Sequence, residues 1–243
     1  MKISILLPYK ENFSPEYPGA VSLFVYETTK NSKFKNKITV FGNTHLKEKF
    51  NLKYVNIELK KNIFSSQTKN YVDRFINLEK KTNSSIIEVH NRPSYIHILN
   101  NKNNKKVYTL FFHNDPLSMD GSKTILERKL LLKVCYKIIF NSNWSKKRFL
   151  EGLENKFVNS NKLAVFFQSA KKGKISNIAK KKNWITFVGK LNRAKGYDIF
   201  VKSIQKILRK YPNWKAKIIG DEKREKIILK HKNADLLGFL NHE

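Results

Sequence analysis

The stretch that most constrains the fold is WITFVGKLNRAKGYDIFVKSIQKILRK, running from Trp184 to Lys210. Trp184–Val188 reads as an apolar strand. The loop at 189–196 begins and ends on glycine and carries Lys190 and Lys195. Beyond it, Tyr197, Phe200, Val201, Ile204, Ile207, Leu208 and Tyr211 recur at the 3.6-residue period of a helix docked on a sheet. Strand, glycine loop and helix in that order build anion sites in α/β folds. Backbone N–H groups and the positive end of the helix point at the ligand, and lysines add full charge.

The spacing excludes two phosphate motifs. A P-loop places lysine after its second glycine, followed by Ser or Thr. Here Lys195 precedes Gly196, and Tyr197 follows. The dinucleotide fingerprint G-x-G-x-x-G is absent as well. What remains is Gly189-Lys190, a four-residue spacer and Lys195-Gly196. The competing reading is two solvated lysines in a lysine-rich chain.

A chain of 243 residues allows one large domain or two smaller ones. Its net charge of +30 raises the question of nucleic-acid binding. The lysines, however, run from Lys2 to Lys232 and mostly fall on the polar faces of apolar-periodic segments. A solvated surface with an Asn/Lys bias accounts for them, with some charge left to favour anionic substrates or a membrane face. The single cysteine, Cys135, excludes a disulfide or a thiolate metal site within one chain and fits a reducing compartment. The opening MKISILLPYK is too short for a signal sequence and reads as a first strand. No run approaches the ~20 apolar residues of a spanning helix. The expectation is a cytoplasmic protein, with peripheral membrane contact left open.

Strands are expected at 3–7, 38–41, 54–57, 86–90, 107–112, 137–140 and 163–167. Helices are expected at 20–30, 70–82 and 125–135, with a short one after Pro93 carrying Tyr95, Ile96 and Leu99 and a further one after Ser142 or Asn143, either of which can cap it. This alternation predicts a parallel doubly wound sheet. The lysine-rich stretch 168–182 reads as a linker, giving an N-terminal domain at 1–167 and a second at 183–243. The second adds strands at 214–219 and 235–237 and a helix at 223–232. Three strands fall short of the five or six of a doubly wound domain, so a fragment is expected, with the second domain incomplete.

In open α/β sheets ligands bind at the carboxyl ends of the strands. Gly19 lies after the first strand, where the absence of a side chain allows close approach. His113 ends an apolar strand, and histidine can bond a sugar hydroxyl or carry a proton near neutral pH. The other reading of His113 is a strand-end side chain satisfied by a carbonyl. His90 has the same address one strand earlier. Asp115 and Asp120 read as turn and cap residues.

Six stretches in order carry a resemblance. They are Tyr17-Pro18-Gly19-Ala20, Val89-His90-Asn91-Arg92-Pro93, Phe111-Phe112-His113, Asn141-Ser142-Asn143-Trp144-Ser145, the 189–196 loop and Ile219-Gly220-Asp221. Together they resemble retaining glycosyltransferases of the GT-B fold, family 4, the glycosyl transferases group 1. The resemblance implies an α/β protein of two Rossmann-type doubly wound domains that moves a hexose from a nucleotide-sugar to a glycan or lipid-linked acceptor. It implies that Gly19, Gly189, Lys190, Lys195 and Gly196 hold the diphosphate, although Ala20 stands where the family often has a second glycine. His113 would contact the transferred sugar, and His90, Asn91 and Arg92 the acceptor side. No metal or other cofactor is implied. The family's pair of donor-binding glutamates lies further on than this sequence reaches, and Glu222, Glu225 and Glu243 do not stand in that context. Weak donor binding, or none, is therefore expected of this chain alone. The alternatives are a non-catalytic fragment or partner subunit, and a basic nucleic-acid-binding α/β protein.

Overall fold

A computed structural model describes residues 1–59, 66–102, 105–169, 181–222 and 225–240. It divides into two compact units, residues 1–170 and 171–243. Most of the expected linker, and the start of the expected 223–232 helix, lie outside the described residues.

The first unit alternates strand and helix. β1 is Ile3–Leu6, α1 Ala20–Lys30, β2 Ile38–Gly42 and β3 Tyr54–Asn56. Next come α2 Gln67–Thr82, β4 Ile86–His90, α3 Pro93–Lys102 and β5 Val107–Phe112. α4 Ile125–Val134, β6 Cys135–Phe140, α5 Asn143–Leu150 and β7 Leu163–Val165 complete it. The sheet runs β3-β2-β1-β4-β5-β6-β7, and all its pairings are parallel. Strand order reverses between β1 and β4, which makes that edge the switch point of a doubly wound sheet.

Alternation along the strands builds two cores. Leu6, Phe41, Ile87, Val89, Leu110 and Phe112 face one side, where Tyr71 and Phe75 of α2 and Ile96 of α3 cover them. Ile5, Leu7, Ile38 and Val40 face the other, under Val21 and Val25 of α1. The helices begin where side chains can satisfy their free N–H groups. Ser66 accepts from the amide of Lys69, and Thr124 with Glu127 and Ser142 with Ser145 form capping boxes. Glu79 faces inward on α2. Its carboxylate accepts from the amide and hydroxyl of Ser84 at 2.7 and 2.6 Å.

The second unit contains β8 Trp184–Val188, α6 Tyr197–Lys210, β9 Lys215–Ile219 and β10 Ala234–Leu236, in a parallel sheet ordered β10-β9-β8. Tyr197, Val201, Ile204 and Leu208 of α6 bury one face of it with Ile185, Phe187, Ala216 and Ile218. Among the described residues no helix covers the opposite face of β8: Trp184 is 45% exposed and Val188 71%. Parallel sheets are ordinarily covered on both faces. The helix expected at 223–232 does not form over 225–232. Glu225 instead reaches back to the β8–α6 loop, where it accepts from the amide of Arg193 at 3.1 Å.

Both β8 and β9 end on glycines of positive φ, Gly189 at 151° and Gly220 at 135°. The two backbones nearly touch, and a Cβ on Gly220 would lie 1.9 Å from the Gly189 carbonyl oxygen. Gly220→Ala is therefore expected to destabilise the second unit by about 1–3 kcal/mol. Faster hydrogen exchange across β8 and β9 reads this out, and unchanged exchange would contradict it.

Candidate functional site

In the first unit the loops after β1, β4, β5 and β6 all emerge at the carboxyl edge of the sheet. Parallel pairing sets His90 beside Phe111, one strand over and two residues short of His113. Asn91 pins the two strand ends together. It adopts a left-handed backbone, φ 56°, which Asn tolerates better than most residues. Its amide donates to the Phe111 carbonyl at 2.7 Å, and its side-chain oxygen accepts from the His113 amide at 3.2 Å. Asn141, after β6, donates to the His113 carbonyl at 2.8 Å. The backbone of His113 is thus held from both sides.

The side chains of His90 and His113 meet, Nδ1 of the first 2.9 Å from Nε2 of the second. The other nitrogen of His90 lies 2.8 Å from Oε1 of Glu88. Nδ1 of His113 lies 2.5 Å from the side-chain amide nitrogen of Gln168. Aromatic rings enclose the pair: Phe111 stacks on His90 at 4.8 Å, and Phe24 of α1 meets His113 edge-on at 5.1 Å. Glu88 and Gln168 were not among the residues singled out from the sequence. The signal for Glu88 was Glu-x-His within one strand, a spacing that puts both side chains on one face. Arg92 turns back, donating to the Asn91 carbonyl at 2.7 Å. Asp115 caps a short turn through the amide of Leu117 and pairs with Arg148, and Asp120 pairs with Lys123.

Gly19 precedes α1 with an ordinary backbone, φ −77°. The group that comes close to it is the carboxylate of Glu11, which a Cβ on Gly19 would meet at 1.9 Å. That carboxylate accepts from the amide of Ser22 at 3.0 Å. The amide end of α1 thus already holds an anion, one belonging to the chain itself.

In the second unit, the 189–196 loop leaves β8 and enters α6 through Gly196, at φ 72°. The loop satisfies most of its own N–H groups. Those of Gly189, Leu191, Asn192, Arg193, Lys195, Gly196 and Tyr197 all donate to acceptors within the unit. Glu222 accepts from the side chain of Asn192 at 3.0 Å, so Glu222 and Glu225 both brace the loop. Capacity for an anion therefore rests less on the loop backbone than the sequence predicts. It rests on the exposed Lys190 and Lys195 and on the start of α6, which has no side-chain cap. Arg193, Glu225, Lys226 and Ile227 line an open depression of about 400 Å³ beside the loop.

Among the described residues no group of three or more His, Cys, Asp or Glu gathers as metal ligands. No helix among them is long and apolar enough to cross a membrane.

Burial, and then the neighbouring His90, pull the pKa of His113 down from its ordinary 6.5 to about 3. Folded protein keeps His113 neutral in this window, whereas the unfolded chain takes up the proton. His113 therefore adds stability above about pH 6.5 that is lost as the pH falls towards 3. Denaturant unfolding at about pH 7 and about pH 4 should show a steeper loss in the natural protein than in His113→Asn. Equal losses would contradict a neutral, buried His113.

Comparison with known proteins follows the division into units. Residues 168–243 match the family model described as Glycosyl transferases group 1. No curated protein matches the chain in sequence. Among solved structures, Anabaena HepE in complex with UDP-glucose is similar over 99% of this chain and 70% of its own, with a TM-score of 0.70 at 13% identity. WaaG, a glycosyltransferase involved in lipopolysaccharide biosynthesis, is similar over 98% of this chain and 70% of its own, with a TM-score of 0.59 at 13% identity. The S. aureus MnaA–UDP structure has the same TM-score, 0.59, and identity, 13%, over 99% of this chain and 70% of its own. Identities this low carry the fold alone, while the family match rests on the second unit. The chain has a GT-B fold, and its second unit is similar to the glycosyl transferases group 1 family.

Proposed function

We propose that the protein transfers a hexose from a nucleoside-diphosphate sugar to a glycan or lipid-linked acceptor, with retention of configuration. The observation that carries this reading is the loop between Gly189 and Gly196. It lies within the family match, and among the described residues neither Lys190 nor Lys195 is engaged in an ion pair. When the sugar leaves, negative charge grows on the diphosphate. Ammonium groups hold that charge more tightly in the transition state than in the ground state, which is the condition for catalysis. In this reading the two lysines supply the cationic charge, with no metal or other cofactor required.

HepE is bound to UDP-glucose in its structure, so UDP-sugars are the first donors to try. His113, neutral and held by its backbone, suits a hydroxyl of the transferred sugar. His90 is turned inward to Glu88 and His113, which supports a role behind His113 better than a direct contact with acceptor. Diphosphate contact at Gly19 requires Glu11 to move aside.

A second reading has its own observation. The bare face of β8, with Trp184 and Val188 outward, favours a subunit whose second unit is covered by another chain. Light scattering of the purified protein separates the two, because a monomer active in transfer needs no such partner.

Thermal shifts with UDP-, GDP- and ADP-sugars identify the donor, since ligand at a hundred times its Kd stabilises by about 2.7 kcal/mol. With the donor known, Lys195→Ala should lower kcat about 10²–10³-fold while leaving the melting temperature unchanged. An unchanged kcat/KM would remove the diphosphate role. His113→Ala should lower turnover without unfolding the protein, and loss of the fold instead would make His113 a core residue.

A further inference from the structure

We propose that Glu88 is a positioning residue. Acting through His90, it fixes His113 in the tautomer that carries hydrogen on Nε2 and offers a bare Nδ1 lone pair to a substrate hydroxyl. The proposal rests on the reading of His113 as a sugar contact, and the experiment below separates the two.

The direction of the chain follows from one group that can only accept. An ionised carboxylate has no hydrogen to give, so the 2.8 Å contact between Glu88 Oε1 and His90 Nε2 requires the hydrogen on His90. A neutral imidazole has one N–H, so Nδ1 of His90 is then an acceptor. With both rings neutral, the 2.9 Å contact to Nε2 of His113 is donated by His113. Nδ1 of His113 is left without hydrogen and must accept in turn. As the Gln168 amide is placed, its nitrogen faces that atom at 2.5 Å, the orientation this direction demands. Four groups on three segments agree from one end to the other, and Glu88 sets the sense.

Geometry leaves the relay little freedom. Glu88 and His90 share the face of β4 opposite Ile87 and Val89, which lie in the core beneath α2 and α3. His90 is fully buried, and Phe111 lies nearly parallel to its ring, at 15°. Phe24 meets His90 and His113 from α1. Neither ring can swing away without unpacking this cluster. Gln168, at the far end, is exposed. A sugar hydroxyl replacing its amide would find the same lone pair already oriented, so no reorganisation accompanies binding. A carboxylate on a strand, in a chain with only 19 acidic residues, is thereby accounted for.

The test is a long-range ¹H–¹⁵N correlation of the imidazole rings in the full 243-residue chain near neutral pH. In the natural protein His113 should carry hydrogen on Nε2, with Nδ1 bare, and His90 likewise. A hydrogen on Nδ1 of His113 overturns the proposal whether or not any variant folds. In Glu88→Gln the amide can donate as well as accept, so the sense is no longer fixed. His113 should then populate the Nδ1–H form, and kcat/KM for transfer should fall roughly tenfold, the equivalent of one such hydrogen bond. An unchanged His113 tautomer in Glu88→Gln also overturns the proposal. Ring signals of His113 that stay unmoved at saturating UDP-sugar would sink the sugar-contact reading alone, because the spectra of the free protein judge the Glu88 relay without turnover.

Discussion

Parallel strand pairing is the constraint on which the rest of this structure depends. Each strand of the first unit runs the same way, so each turn into the following segment emerges at one edge. Gly19, His90, His113 and Asn141 are far apart in sequence, and strand direction brings them to that edge. Register then does the fine placement. Pairing of His90 with Phe111 brings two histidines of neighbouring strands within hydrogen-bonding distance. A shift of one residue would turn His90 and Glu88 into the opposite core and expose Val89 in their place.

The distribution of charge is informative because it runs against the composition. Among 49 basic and 19 acidic residues, four carboxylates stand at the candidate sites. Glu11 occupies the amide end of α1, Glu88 terminates the histidine pair, and Glu222 and Glu225 hold the loop after β8. Each satisfies N–H groups that would otherwise lack a fixed partner, so each confers shape. The lysines of that loop are left to confer charge. Shape from carboxylates and charge from exposed ammonium groups give the loop a stable frame and an adaptable cationic surface.

Much of the fold was legible in the sequence. Apolar runs closing on Pro8, His90 and His113 gave the strands. The helix expected at 70–82 is α2, which starts three residues earlier, and of the two caps offered for α5 Ser142 is the one used. Local rules reach that far because each concerns residues within a turn or two of one another. Glu88 escaped notice because its partners come from register and from the fold of a distant loop. Glu11 escaped for a related reason: Gly19 reads as room for a ligand, and only the three-dimensional path of the 7–19 segment shows a carboxylate filling that room. The residues at 225–232 have a helical apolar spacing, but they form no helix, and Glu225 bonds the loop after β8 instead. The lysine pair was legible as a motif. That the loop would spend its own amides internally was not, since no spacing rule records which acceptors a turn supplies.

The central claim is that the loop between Gly189 and Gly196 holds a diphosphate. The most direct measurement is a titration of UDP into the ¹⁵N-labelled protein, following backbone amides. The account predicts saturable shifts at Gly189, Lys190, Lys195, Gly196 and the first turn of α6. It predicts that UDP moves these amides far more than uridine does, because the phosphates make the contact. Amides in that loop that stay fixed at millimolar UDP, or that respond equally to uridine, would contradict it.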